Sequence, residues 1–309
     1  MSKPLPPATI QSLSPPPGTA FPYKFFENAS KHPFEPRDTA LNLRNAWWLM
    51  DAAFLSYCPL SSIESVFRSA GIPATVQTFS GLSTQCYVAA TAEWMVLVLR
   101  GTQVDEFWAS VLDWAVDARF VPAPDEHGCW VHSGFLTALD EVWPDVSAHL
   151  RSAQQASRRP LWITGHSLGA ALATIAASRC SYDSASGLTG LYTFGSPRVG
   201  DQRFAQSIHV PHWRFRNNID VVTHVPLGLV FRHTGMLEFI DGAGHFHKNV
   251  DPQTELLLNA ANVQLSIAAA ENLQMMLRVA GPMALLPGLL ADHAPINYAI
   301  RIWNCYDAS

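Results

Sequence analysis

The stretch LWITGHSLGAALA, residues 161–173, constrains the fold more than any other part of the 309-residue chain. An apolar, strand-like run leads into Gly-His-Ser-Leu-Gly, and a run of alanines follows. This order predicts a strand, a sharp turn and a helix. Gly165 and Gly169 carry no side chain that could collide with the strand and helix packed on either side of the turn. Ser167 then sits on a strained corner with its Oγ above the strand end. The helix that follows aims its first N–H groups at the same point.

A turn of this kind needs neighbours that alternate strand and helix, and the chain supplies them. Residues 39–69 have helical apolar spacing, enough for one or two helices. IPATVQTFS (72–80) and TQCYVAATAEWMVLVLR (84–100) read as strands, and GFLTALDEVWPDVSAHLRSAQQAS (134–157) as helix. LWIT (161–164) is a strand with a helix from Ser167 to Arg179, and LTGLYTFGS and HWRFRNN are further strands. The fold class is therefore α/β, with a mostly parallel central sheet and helices on both faces. No repeat breaks the pattern, so residues 39–309 are expected to form one domain. Residues 1–38 are expected to be an extended, proline-rich arm, either disordered or wrapped over the domain. A further helix is expected from Pro252 to Arg278, with Leu256, Ala260, Val263, Ile267 and Ala270 on one face. Packing on the sheet explains that face; contact with lipid is the alternative, raised by the MALLPGLLA that follows.

Composition excludes several classes. The net charge of −5, with no cluster of Lys or Arg, argues against a nucleic-acid partner. Five singly placed cysteines cannot all pair and show no metal or redox spacing, so buried free thiols are expected. Prolines interrupt the N-terminal region, which leaves no secretory h-region. The apolar run Val279–Ala291 contains two prolines and is shorter than the ~20 residues of a spanning helix.

A serine is a poor nucleophile without a base, so the turn at Ser167 calls for a histidine and an acid later in the chain. Asp220, in NNIDVVTHVP just past a strand end, and His293, in ADHAPINY, occur in that order. Upstream, LVLRGT ends a strand and turns through Gly101, so the amide of Thr102 can join that of Leu168 as an oxyanion donor. Rivals exist. Asp201 is better explained as a helix cap. His224 lies only four residues past Asp220, which is awkward for a base. His245 and His247 form an H-x-H pair that Asp241 or Asp251 could complete as a metal site, but no full ligand set has metal spacing. No metal or organic cofactor is expected.

With these pieces in place the chain resembles the class 3, fungal-type lipases, which have an α/β-hydrolase fold. The resemblance rests on RGT (100–102), DWAVD (113–117), VHSGF (131–135), TGHSLGAALA (164–173), YTFGSPRVGD (192–201), NNIDVVTHVP (217–226), FRHTGMLEFI (231–240) and DHAPINY (292–298). It implies Ser167 as nucleophile, Asp220 and His293 as its partners, and Thr102 with Leu168 as the oxyanion hole. It also implies structural roles for His132 and His233, and a His166 side chain turned away from substrate. Two departures are visible: a longer stretch between RGT and DW, and an extended segment before His293.

QVDEFWASVLDWAVD (103–117) places Val104, Phe107, Trp108 and Val111 on one apolar helical face. That face suits either a core-packed amphipathic helix or a helical lid over an acyl pocket. Its position directly after Thr102 favours the lid. The expected activity is hydrolysis of lipid esters at a lipid–water interface, triacylglycerols first. The alternatives are an esterase for short-chain or aromatic esters, a phospholipase A1, or a non-catalytic interaction module.

Overall fold

A computed structural model describes residues 2–18, 21–101, 121–226, 230–258 and 291–309. Among the described residues ten strands form: β1 (Thr75–Ser80), β2 (Gln85–Ala90), β3 (Met95–Leu99), β4 (Pro122–Pro124), β5 (Trp130–His132), β6 (Leu161–His166), β7 (Leu188–Phe194), β8 (His212–Asn217), β9 (Met236–Ile240) and β10 (Phe246–Val250). Eight of them make one sheet in the order β1-β2-β3-β6-β7-β8-β9-β10. The centre, β3 through β9, is parallel, and antiparallel pairs close both edges. This is the α/β-hydrolase arrangement expected from the sequence.

The helices are α1 (Ile10–Leu13), α2 (Leu43–Leu55), α3 (Ile63–Ser69), α4 (Ser133–Asp140), α5 (Trp143–Ala156), α6 (Leu168–Tyr182), α7 (Gln202–Ala205), α8 (252–258) and α9 (Pro295–Asp307). Strand side chains alternate between faces, so the sheet carries two cores. Tyr87, Val96, Trp162, Tyr192 and Phe215 face α2 and α9, whereas Val88, Leu97, Ile163 and Leu191 face α4, α5 and α6. Burying one such side chain contributes roughly 1.5–3 kcal/mol, which makes the two layers the main source of stability.

Two runs that read as single elements are each divided. Residues 84–100 form the hairpin β2–β3, because Thr91 Oγ1 accepts from the amides of Glu93 and Trp94 and turns the chain back. Residues 134–157 split into α4 and α5 at Glu141 and Val142, where Pro144 falls in the first turn of α5 and starts a new helix. Helix α9, β4, β5 and β9 were not anticipated. Of the expected helix 252–278, residues 252–258 are helical. The remainder and MALLPGLLA lie outside the described residues. Among the described residues no helix is long and apolar enough to cross a membrane.

The N-terminal residues are wrapped over the domain. Lys3 and Asn304 exchange hydrogen bonds, 2.7 Å from the Lys3 amide to Asn304 Oδ1 and 2.9 Å from Asn304 Nδ2 to the Lys3 carbonyl. Leu13 and Phe26 are buried in the core beside α2. On α2, fully buried Asp51 accepts from Tyr23 Oη and from the Phe26 amide, both at 2.6 Å. Burial pushes the Asp51 carboxyl up to about 7 against the opposing pull of those hydrogen bonds. The unfolded carboxyl releases its proton near ~4. The native state therefore binds more protons between those limits, and this stabilisation is full below ~pH 4 and lost as pH rises through about 7. Buried Glu238, also pushed up to about 7, acts in the same direction. Buried His212 and His224, lowered to about 3 and about 4, act in the opposite direction. The expected result is therefore a difference: as pH rises from 4 to 7, the melting temperature of the parent falls relative to that of Asp51→Asn. An unchanged slope would show that Asp51 titrates elsewhere.

Candidate active site

The site is built where β3, β6, β7 and β8 end. Backbone hydrogen bonds fix the corner at Ser167: its amide donates to the Phe194 carbonyl at 3.0 Å, and its carbonyl accepts from Ala170 at 2.9 Å. Ser167 has φ +61° and ψ −130°, a left-handed backbone that costs a non-glycine residue ~1–3 kcal/mol. The close approaches explain the two glycines. A Cβ on Gly165 would press into the backbone of Gly169 and lie 2.8 Å from the Ala170 nitrogen. One on Gly169 would press into the Leu99 carbonyl and lie 2.7 Å from the Arg100 carbonyl carbon.

Three side chains predicted from distant parts of the sequence meet at this corner. His293 Nε2 lies 2.8 Å from Ser167 Oγ, and His293 Nδ1 lies 2.9 Å from each oxygen of Asp220. A carboxylate can only accept, so Nδ1 carries the proton and Nε2 is left as the acceptor for the serine hydroxyl. Asp220 and His293 are 0% exposed and Ser167 2%. In this dry setting the hydrogen bonds to the carboxylate are stronger than they would be in water. Leu168 opens α6, so its amide belongs to the N–H groups of the first turn, which have no acceptor within the helix. Thr102, Val104, Phe107, Trp108 and Val111 lie outside the described residues.

Further residues hold this set, and spacing alone did not reveal them. Tyr298 Oη donates to Asp220 Oδ2 at 2.6 Å and accepts from the Asn217 amide at 3.0 Å. The Val222 amide donates to Asp220 Oδ1 at 3.0 Å. Asp292 joins the two loops: its carboxylate accepts from Asn218 Nδ2 at 2.8 Å and its carbonyl from Asn217 Nδ2 at 2.9 Å. His166, adjacent to the nucleophile, bonds through Nε2 to the His293 carbonyl at 2.8 Å and through Nδ1 to Tyr57 Oη at 2.9 Å. Tyr298 sits in DHAPINY, which offered a signal; Tyr57 had none.

The rivals are accounted for separately. Asp201 caps α7, accepting from the Phe204 amide at 2.8 Å. His224 sits in the turn after Asp220, with burial and nearby arginines lowering its imidazole to about 4. Neither of its ring nitrogens has a partner among the described residues. His132 Nδ1 caps α4 at Gly134, and His233 Nε2 donates to the Thr223 carbonyl. His245 and His247 both bond to Asp241 Oδ2, at 3.3 and 2.9 Å, and the three form an exposed hydrogen-bonded cluster at the β9–β10 turn. Among the described residues no group of three His, Cys, Asp or Glu is placed to hold a metal ion.

Residues 96–229, which contain Ser167 and Asp220, match the family model described as lipase (class 3). The solved triacylglyceride lipase of Rhizomucor miehei superposes with a TM-score of 0.55 at 29% identity, covering 65% of this chain and 80% of that one. Over residues 96–229 the chain matches the class 3 lipase family. A lipase from Rhizomucor miehei is 37% identical over 150 residues, 45% of this chain and 39% of that protein. A secreted mono- and diacylglycerol lipase A from Penicillium cyclopium is 34% identical over 178 residues, 55% of this chain and 54% of that protein. The chain thus spans about half or less of the length of the curated relatives it matches.

Proposed function

We propose that the protein hydrolyses carboxylic esters of lipids, with glycerol esters of fatty acids as the first class to test. The hydrogen-bonded series Ser167–His293–Asp220 on a strained turn at the end of a parallel strand carries this reading. The names of two relatives, lipase and mono- and diacylglycerol lipase, support the substrate class. Ser167 Oγ attacks the ester carbonyl as His293 Nε2 takes its proton. Asp220 holds the imidazole in the required tautomer and stabilises the imidazolium as it forms. The amides of Leu168 and Thr102 receive the developing oxyanion. His293 then protonates the departing alcohol, and water repeats the sequence to release the fatty acid. Removing one oxyanion donor costs ~100- to 1000-fold in rate in such sites. The stretch 103–117 serves as the lid, with the apolar face of Val104, Phe107, Trp108 and Val111 turned to lipid when open.

Fatty-acid release from tributyrin, followed across its solubility limit with Ser167→Ala as control, tests the reading. The expected rate rises once droplets form and is absent in the variant. A Ser167-dependent rate that saturates below the limit would mean a soluble-ester hydrolase. Absence of any Ser167-dependent rate, on this substrate and on phospholipids, would overturn the assignment.

A further inference from the structure

His166 has both ring nitrogens engaged, and their partners belong to two different parts of the site. It is fully buried, and its Nε2 faces the carbonyl oxygen of His293 at 2.8 Å. A carbonyl cannot donate, so Nε2 bears the proton. Burial drives the imidazole pKa well below its ordinary value, so the ring is neutral and Nδ1 accepts the Tyr57 hydroxyl at 2.9 Å. Tyr57 in turn packs its hydroxyl against the backbone of Gly101, where a Cβ would collide with it, directly before Thr102. The two imidazole rings are 4.7 Å apart. A neutral neighbour at that distance does not oppose the charge that His293 acquires during turnover, whereas a protonated one would.

We infer that His166 is a positioning residue for the base: with Tyr57 it forms a buried strut between the strand end at Gly101 and the loop carrying His293. The inference rests on the ester-hydrolase reading and deepens it. His293 closes a three-residue 3₁₀ turn (Ala291–His293) just before α9. The hydrogen bond to its carbonyl fixes the imidazole against Ser167. Misplacement of a reacting group by about 1 Å is enough to cost on the order of 100-fold.

Two variants cut the strut on different sides. His166→Gln places an amide NH2 where Nε2 was and keeps the donor to the His293 carbonyl. His166→Asn places an oxygen where Nδ1 was, keeps an acceptor for Tyr57, and loses that donor. With a soluble ester, His166→Asn is expected to lower kcat by about 10- to 100-fold with KM little changed. His166→Gln should recover most of that loss. The labelling rate of Ser167 by a fluorophosphonate should follow the same order, and thermal melts report whether each variant is folded. Equal losses in both variants, or a folded His166→Asn at the parental kcat, would overturn the inference. A parent protein that is not labelled at Ser167 would instead overturn the ester-hydrolase reading on which it rests.

Discussion

His293→Ala is expected to abolish ester hydrolysis, by a factor on the order of 10⁵–10⁶ in kcat. His224→Ala should retain most of it. Both histidines are buried and both follow Asp220 in the sequence. Only one has the geometry of a base. His293 bridges Ser167 Oγ at 2.8 Å and Asp220 at 2.9 Å, and its loss leaves the serine hydroxyl without a proton acceptor. His224 sits in a turn with its pKa lowered to about 4, and its replacement removes packing without touching the hydroxyl. The measurement is kcat/KM on a soluble ester at pH 8, with melting temperatures recorded for each variant. The opposite ranking would mean that His224 is the base and that the bonds described for His293 are structural.

Gly169→Ala is expected to be strongly destabilising. The added Cβ would meet main-chain atoms of three consecutive residues: the Leu99 carbonyl, Arg100 C at 2.7 Å and Gly101 N at 2.8 Å. Backbone cannot rotate aside as a side chain can, so relief requires moving either α6 or the end of β3. Overpacking of this type costs roughly 1–3 kcal/mol and more when no rotamer change relieves it. A 3 kcal/mol loss would lower Tm by roughly 6–12 °C for a domain of this size. Whatever moves also displaces the residues before Thr102, so activity should fall further than the loss of folded protein explains. A variant with parental Tm and turnover would show that β3 and α6 are not held as tightly as the distances imply.

The elbow was legible because its determinants are local: five consecutive residues set the turn, and the flanking runs set the strand and helix. Asp220 and His293 were legible through chemistry and order, since a nucleophilic serine needs both partners and strand ends present them. What escaped was whatever depends on contacts between distant segments. Tyr57 and His166 are 109 residues apart, and Tyr298 and Asp220 are 78 apart. No periodicity encodes such a meeting. The hairpin within 84–100 escaped for a different reason, because Ala-Thr-Ala-Glu lacks the glycine or proline that usually marks a reversal. A threonine side chain bonded to two amides does the work instead. Helix α9 is the exception: Ile296, Ala299, Ile300 and Trp303 recur at i, i+3, i+4 and i+7, an apolar stripe that the sequence does carry.

The tryptophans are distributed unequally between the two faces of the sheet. Of ten in the chain, Trp47, Trp48, Trp94, Trp162, Trp213 and Trp303 all lie in the core beneath α2 and α9, several in ring contact. The core under α4, α5 and α6 has only Trp143, at its margin, among the described residues. Intrinsic fluorescence is therefore a reporter weighted to one layer. If the layer that holds α2 and the N-terminal residues loosens first, emission will shift while far-ultraviolet circular dichroism still records the helices on the other side. Coincident transitions by the two signals would mean that the sheet transmits unfolding from one core to the other as a single cooperative event.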